Sequence, residues 1–210
     1  MARRIVSLTL DNVDLLPDPC RSCVFWEQGE ARVPDAACKE DWLARVLLEW
    51  GSCGRIVLVD GEVAGFALYA PGQYVVGALG VRAGEVSVDA VQLITARIAP
   101  EHAASGLGRV LVQAVVKDAI GRREVKAIEA YADLRHTGDE CVLPAQFLTA
   151  VGFKTVQQHP RYPRLRLELR SVATWRGELE AALERWLGAI RPEKGTGPVG
   201  VSPRSEPTHE

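Results

Sequence analysis

The chain has 210 residues, enough for one domain with a full core and short for two. Apolar residues make up 47% and charged residues 25%, the balance of a globular protein, and a net charge of -2 argues against a nucleic-acid partner. The opening MARRIVSLTLDNVDLL alternates and is broken by Asp11, Asn12 and Asp14. It has neither the apolar run of a signal peptide nor the ~20 apolar residues that span a bilayer, so a cytoplasmic protein without a membrane partner is expected.

Residues 5–10 alternate and predict a strand. Residues 11–34 are rich in proline, cysteine and charge and predict no regular element. Over 35–50, Trp42, Leu43, Val46, Leu47 and Trp50 recur on one helical face, with Gly51 and Gly54 after it. The runs 55–60 and 63–69 flank a short Asp-Gly turn and predict a hairpin. Residues 70–87 form a long, glycine-rich connection of the kind used as lids or binding loops; the strand pattern resumes at 88–98.

Residues 101–106 are small and polar, and a helix starts at Leu107. Leu107, Val110, Leu111, Ala114 and Val115 lie on one side of it, with Arg109, Gln113, Lys117 and Asp118 on the other, and Gly121 closes it. A strand over 126–132, a short helix over 144–151 and strands over 153–158 and 162–169 follow. Over 174–190, Leu179, Leu183, Trp186, Leu187 and Ile190 make one apolar stripe, which packs on its own domain or forms a homodimer or partner surface. The expected division is one domain over 1–172, an amphipathic helix over 173–190 and a disordered tail over 191–210.

The segment richest in chemistry is LITARIAPEHAASGLGRVLVQAVVKDAI, residues 93–120. A strand ends at Pro100, a loop carries Gly106 and Gly108, and a helix begins at once. Small residues let the backbone turn tightly, and the helix start adds unpaired N–H groups and a positive dipole end. Together these suit a diphosphate. The longer dinucleotide fingerprint is absent, because no third glycine follows at the required spacing.

The stretch from Arg97 to Arg109 resembles the acetyl-CoA motif of the GNAT acetyltransferase family, a strand followed by Arg/Gln-x-x-Gly-x-Gly/Ala. Residues 144–153 (PAQFLTAVGF) are similar to that family's late helix ending in Gly-Phe. The order of predicted elements over about 4–169 matches as well. The resemblance implies an α/β (α+β) fold with a mixed, mostly antiparallel central sheet flanked by helices. It also implies N-acetyl transfer from acetyl-CoA, as cosubstrate, to a primary amine of a small molecule or peptide by direct attack. The alternative is a catalytically weak module of this fold that binds acyl-CoA and acts through a protein partner.

By the same resemblance, N–H groups of Ala104, Ser105, Gly106, Leu107, Gly108 and Arg109 hold the diphosphate. The strand edge at Ile98 and Ala99 pairs with the pantetheine arm like an added strand. The Arg109 side chain either reaches a phosphate or stays in solvent. Two positions depart from the family: Ala103 stands where Arg or Gln opens the loop, which predicts weaker affinity. Leu148 stands where many members carry a tyrosine that protonates the leaving thiolate.

The acceptor amine must lose a proton. Asp133, as base, and Tyr131, as acid, close the strand over 126–132 and are the catalytic candidates. His136 and Glu140 in the next loop, and His102 and Glu101 beside the diphosphate turn, are weaker ones. Cys20 and Cys23 have the spacing of a zinc or redox pair, yet no second such pair supplies four ligands, so no metal is assigned. Plain thiols remain open, as does Trp26 with Phe25 as an acceptor wall or as core packing.

Overall fold

The computed structural model describes residues 2–28, 33–77, 83–135 and 141–170. The segment 173–190, the tail 191–210, His136 and Glu140 lie outside the described residues. Strand β1 (Arg3–Ser7) leads through a 3-10 turn (Leu10–Leu15) and a one-turn helix α1 (Phe25–Gln28) to helix α2 (Ala36–Trp50). Asp35 caps α2 by accepting the N–H groups of Ala37 and Cys38, and Gly51, at φ 86°, ends it in the left-handed conformation that a side chain disfavours. Gly54 does not belong to that ending. It opens the next strand, where an added Cβ would meet the Ala67 carbonyl at 2.9 Å.

Strands β2 (Gly54–Val59) and β3 (Glu62–Pro71) form the expected hairpin. Asp60 and Gly61 both have positive φ, 52° and 94°, as the two-residue turn matching strand twist requires. After β4 (Ala90–Ile98) come α3 (Leu107–Ile120), β5 (Ala127–Asp133), the two-residue β6 (Leu143–Pro144), α4 (Ala145–Ala150), β7 (Lys154–Gln157) and β8 (Arg164–Glu168). The sheet runs β1-β2-β3-β4-β5-β8-β7, with β6 beside β5. The two parallel pairings are β4 with β5 and β5 with β6; the others are antiparallel.

Alternation along the strands builds two apolar layers. Val57, Tyr69, Leu93, Ile128 and Leu165 face α3 and α4, including Leu111, Val115 and Leu148. Ile56, Phe66, Leu68, Ile94 and Tyr131 face the layer formed by Trp26, Trp42, Leu43 and Val46. Leu47 and Trp50 of α2 are only half buried, so the stripe expected on this helix is widest at its middle. No helix among the described residues is long and apolar enough to cross a membrane.

Candidate active site

The central strands part company early. The parallel ladder between β4 and β5 has three pairs, Ala90 with Ala127, Val91 with Ile128 and Gln92 with Glu129. Just beyond, β4 bulges against β3: Leu68 faces Thr95 and Tyr69 faces Leu93, leaving Ile94 as the extra residue. A bulge bends its strand and increases local twist, which steers β4 away from β5. β8 pairs with the opposite edge of β5 from Ala127 to Tyr131, and past the split β6 pairs with β5 at Ala132 and Asp133. β4 therefore continues to Ile98 with no strand paired to that edge among the described residues.

At the end of that edge the chain makes the turn read from the sequence. Ala99 still donates to the Ala64 carbonyl; then Ala103 donates to Pro100, Ser105 to His102, and Arg109 to Gly106. Ala104 and Gly106 both sit at positive φ, 58° and 82°. Gly106 caps α3 without a side chain. The N–H groups of Ala104, Gly106, Leu107 and Gly108 consequently have no acceptor among the described residues. Ala103 to Gly106 are exposed, so the unpaired donors of Ala104 and Gly106 lie in an exposed turn, while Leu107 is buried and Gly108 half-buried behind them.

Gly108 has a different task from Gly106. A Cβ there would lie 2.7 Å from the Phe147 ring, so the missing side chain lets α4 pack against the first turn of α3. The Arg109 guanidinium donates to the Ala150 carbonyl at 2.7 Å, at the end of α4. The side chain stays exposed, as one of its two anticipated places has it, and this bond adds a tie to α4. Leu148 is fully buried in the layer between α3 and the sheet.

Tyr131 and Asp133 lie two residues apart on β5 and so share a sheet face, the one that packs on α1. The Tyr131 ring stacks on Trp26 at 5.5 Å, and its hydroxyl donates to the Gly84 carbonyl at 2.6 Å. Burial pushes the phenol up to about 12, so it holds its proton at neutral pH. Asp133 is 5% exposed and accepts the Arg135 N–H at 2.9 Å. His102 and Glu101 stand at the turn before α3.

Two residues that the strand patterns hid occupy the parting itself. Glu129 is fully buried and accepts from the Ser87 N–H, from Arg164 at 2.7 Å and from Arg166 at 2.9 Å. Its ladder partner Gln92 is equally buried, yet neither amide atom has a hydrogen-bond partner among the described residues. Gln92 borders a cavity of about 370 Å³ lined by Pro71, Val75, Val86 and Ser87, among others. A buried amide without partners costs about 1–3 kcal/mol. Gln92→Leu is therefore expected to raise stability by about 1 kcal/mol, seen as a Tm higher by roughly 3 °C in a thermal melt.

All five cysteines are free thiols. No group of three or more His, Cys, Asp or Glu among the described residues is placed to hold a metal ion.

Residues 15–140, more than half of the chain, match the family model described as the acetyltransferase (GNAT) family. Solved structures share the fold. The PaiA N-acetyltransferase of Thermoplasma acidophilum in complex with coenzyme A is 11% identical with a TM-score of 0.54, covering 80% of this chain and 99% of that one. For yncA of Salmonella typhimurium with its cofactor acetyl-CoA the values are 16%, 0.55, 80% and 95%. For the loading GNATL domain of CurA from Lyngbya majuscula they are 12%, 0.53, 81% and 100%. No curated protein sequence matches the chain. A split sheet with an exposed N–H-rich turn behind its open strand, inside a segment that matches this family model, makes the chain a member of the GNAT acetyltransferase family.

Proposed function

We propose that the protein transfers an acetyl group from acetyl-CoA to the primary amine of a small molecule or peptide, by direct attack of the amine on the thioester. The observation that carries this is the run of acceptor-free N–H groups at Ala104, Gly106, Leu107 and Gly108, directly behind the open edge of β4. Coenzyme A presents a diphosphate and an extended amide-bearing arm. The turn fits the first, because its donors and the α3 dipole favour an anion. The open strand edge fits the second, because an amide chain laid along β4 restores the ladder that β5 abandons.

Acetyl-CoA supplies the activated acyl group; the rest is done by the chain. The turn and edge fix the thioester at the parting, and holding two reactants in register removes much of the entropic barrier. Asp133, at the end of β5 beside the parting, takes the ammonium proton of the acceptor. Tyr131 is the proton donor on the same face, and it must release the Gly84 carbonyl to act. Leu148 has no proton to give, and a thiol with a pKa of about 8.5 leaves readily as thiolate in any case.

Thermal shift with acetyl-CoA and with free CoA, followed by thiol release across a panel of amines, tests this assignment. Stabilisation by acetyl-CoA together with amine-dependent thiol release is expected; absence of stabilisation by every CoA thioester overturns it. Ala103→Arg places a cation at the exposed start of the turn. It is expected to lower the Kd for acetyl-CoA about fivefold, read by calorimetry, since a charge-assisted contact to phosphate in a solvent-exposed place contributes about 1 kcal/mol.

A further inference from the structure

The two-residue spacing points to Cys20 as the partner of Cys23, but the fold gives Cys23 another one. Its sulfur lies 3.2 Å from that of Cys141, across 118 residues of chain. Cys20 is 4% exposed and packs in the apolar layer with Leu16 and Trp26. Cys23 and Cys141 are both only half buried, so a small reagent has a path to them that Cys20 does not offer.

The backbone on both sides of the contact is held in place. The Trp26 indole donates to the Cys141 carbonyl at 2.7 Å, and Lys39 donates to the Cys23 carbonyl at 2.9 Å. Lys39 is itself fixed by a buried ion pair with Glu27. The hydrogen bond shared with Cys141, in which either sulfur can be the donor, brings the Cys23 thiol down to about 6; burial opposes this, while the Phe25 backbone and the Lys39 charge assist it. The same contact and burial push the Cys141 thiol up. One sulfur is thus poised as the nucleophile and the other as its proton-bearing neighbour.

We propose that Cys23 and Cys141 form a thiol–disulfide exchange site for low-molecular-weight disulfides, closing into an internal bridge that ties the N-terminal segment to the segment entering β6. In the first step the Cys23 thiolate attacks one sulfur of the external disulfide. The external S–S bond breaks and one small thiolate leaves and takes up a proton. In the second, Cys141 loses its proton and attacks the Cys23 sulfur of the mixed disulfide, expelling the second small thiol. Two protein thiols are oxidised and one disulfide is reduced to two thiols, so the electrons balance without any other reagent. Cys23, Cys141, Ile94 and Thr95 line one small cavity together with Cys20, and the 3.2 Å contact selects Cys141 there, so the bridge forms where β4 leaves β5. The chemistry does not depend on the acyl-transfer assignment.

The test is incubation of the full chain with oxidised glutathione, then thiol titration in denaturant and peptide mapping after alkylation. Loss of two of the five thiols is expected, with a single Cys23–Cys141 crosslink that dithiothreitol reverses. Cys141→Ser is expected to halt at a stable glutathione adduct on Cys23, and Cys20→Ser to behave as the unchanged protein. A persistent glutathione adduct on Cys23 of the unchanged protein, a Cys20–Cys23 bridge, or retention of all thiols would each overturn the proposal.

Discussion

Glu129→Gln is expected to lower stability by about 3 kcal/mol, with a Tm lower by roughly 9 °C in a thermal melt. The carboxylate is fully buried and faces two guanidiniums that are each only 14% exposed. Removing its charge leaves those cations desolvated and close together. Arg166 keeps Asp89 and Glu168 as partners, with Asp89 at 2.9 Å. For Arg164, Glu129 is the carboxylate partner, beside the Glu85 carbonyl. That asymmetry puts the loss near the lower end of the ~3–5 kcal/mol typical of a broken buried ion pair. It also fixes where the damage falls, since Glu129 closes the last rung before β4 and β5 separate.

Ser105→Asp is expected to weaken acetyl-CoA binding roughly a hundredfold while leaving stability unchanged or slightly higher, as read by calorimetry and thermal melts on one sample. Ser105 is exposed, and its hydroxyl donates to the His102 carbonyl three residues back. A carboxylate just ahead of α3 favours the helix dipole, so the fold does not suffer. The same charge sits beside the unpaired N–H groups that would receive a diphosphate. At ~5 Å and an effective dielectric of ~40, repulsion from two phosphate charges comes to about 3 kcal/mol. A matched loss of binding and of melting temperature would instead mean that the turn serves the fold alone.

Much of the architecture was legible because local chemistry and tertiary need agree. The Asp60–Gly61 turn, the Asp35 cap and the small-residue turn before Leu107 each carry a residue type that only one backbone shape favours. Helix α1 escaped notice because Phe25–Gln28 is a single turn, too short to show a period. The bulge at Ile94 escaped because alternation continues on either side of it, although it accounts for the opening of the sheet.

The site was legible as backbone and far less so as side chains. Gln92 and Glu129 are long polar residues inside otherwise largely apolar strands, AVQLITA and AIEAYA, and that interruption was the available signal. Arg109 gave none, since an exposed helical arginine does not announce a carbonyl 41 residues later. Cysteine spacing gave no sign of the Cys23–Cys141 contact for a related reason. It registers neighbours in the chain, whereas Cys23 meets a thiol delivered by the far end of the β5–β6 connection. Gly108 looked like part of the anion turn, and its neighbour Phe147 gives it a packing role too.

Amide-resolved nitrogen–proton spectra recorded during an acetyl-CoA titration address the diphosphate cradle most directly. Binding should shift the N–H signals of Ala104, Gly106, Leu107 and Gly108 most, with smaller changes at Ala103 and Ser105, whose donors are already committed to backbone carbonyls. Shifts confined to other surfaces, or none at saturating acetyl-CoA, would contradict it.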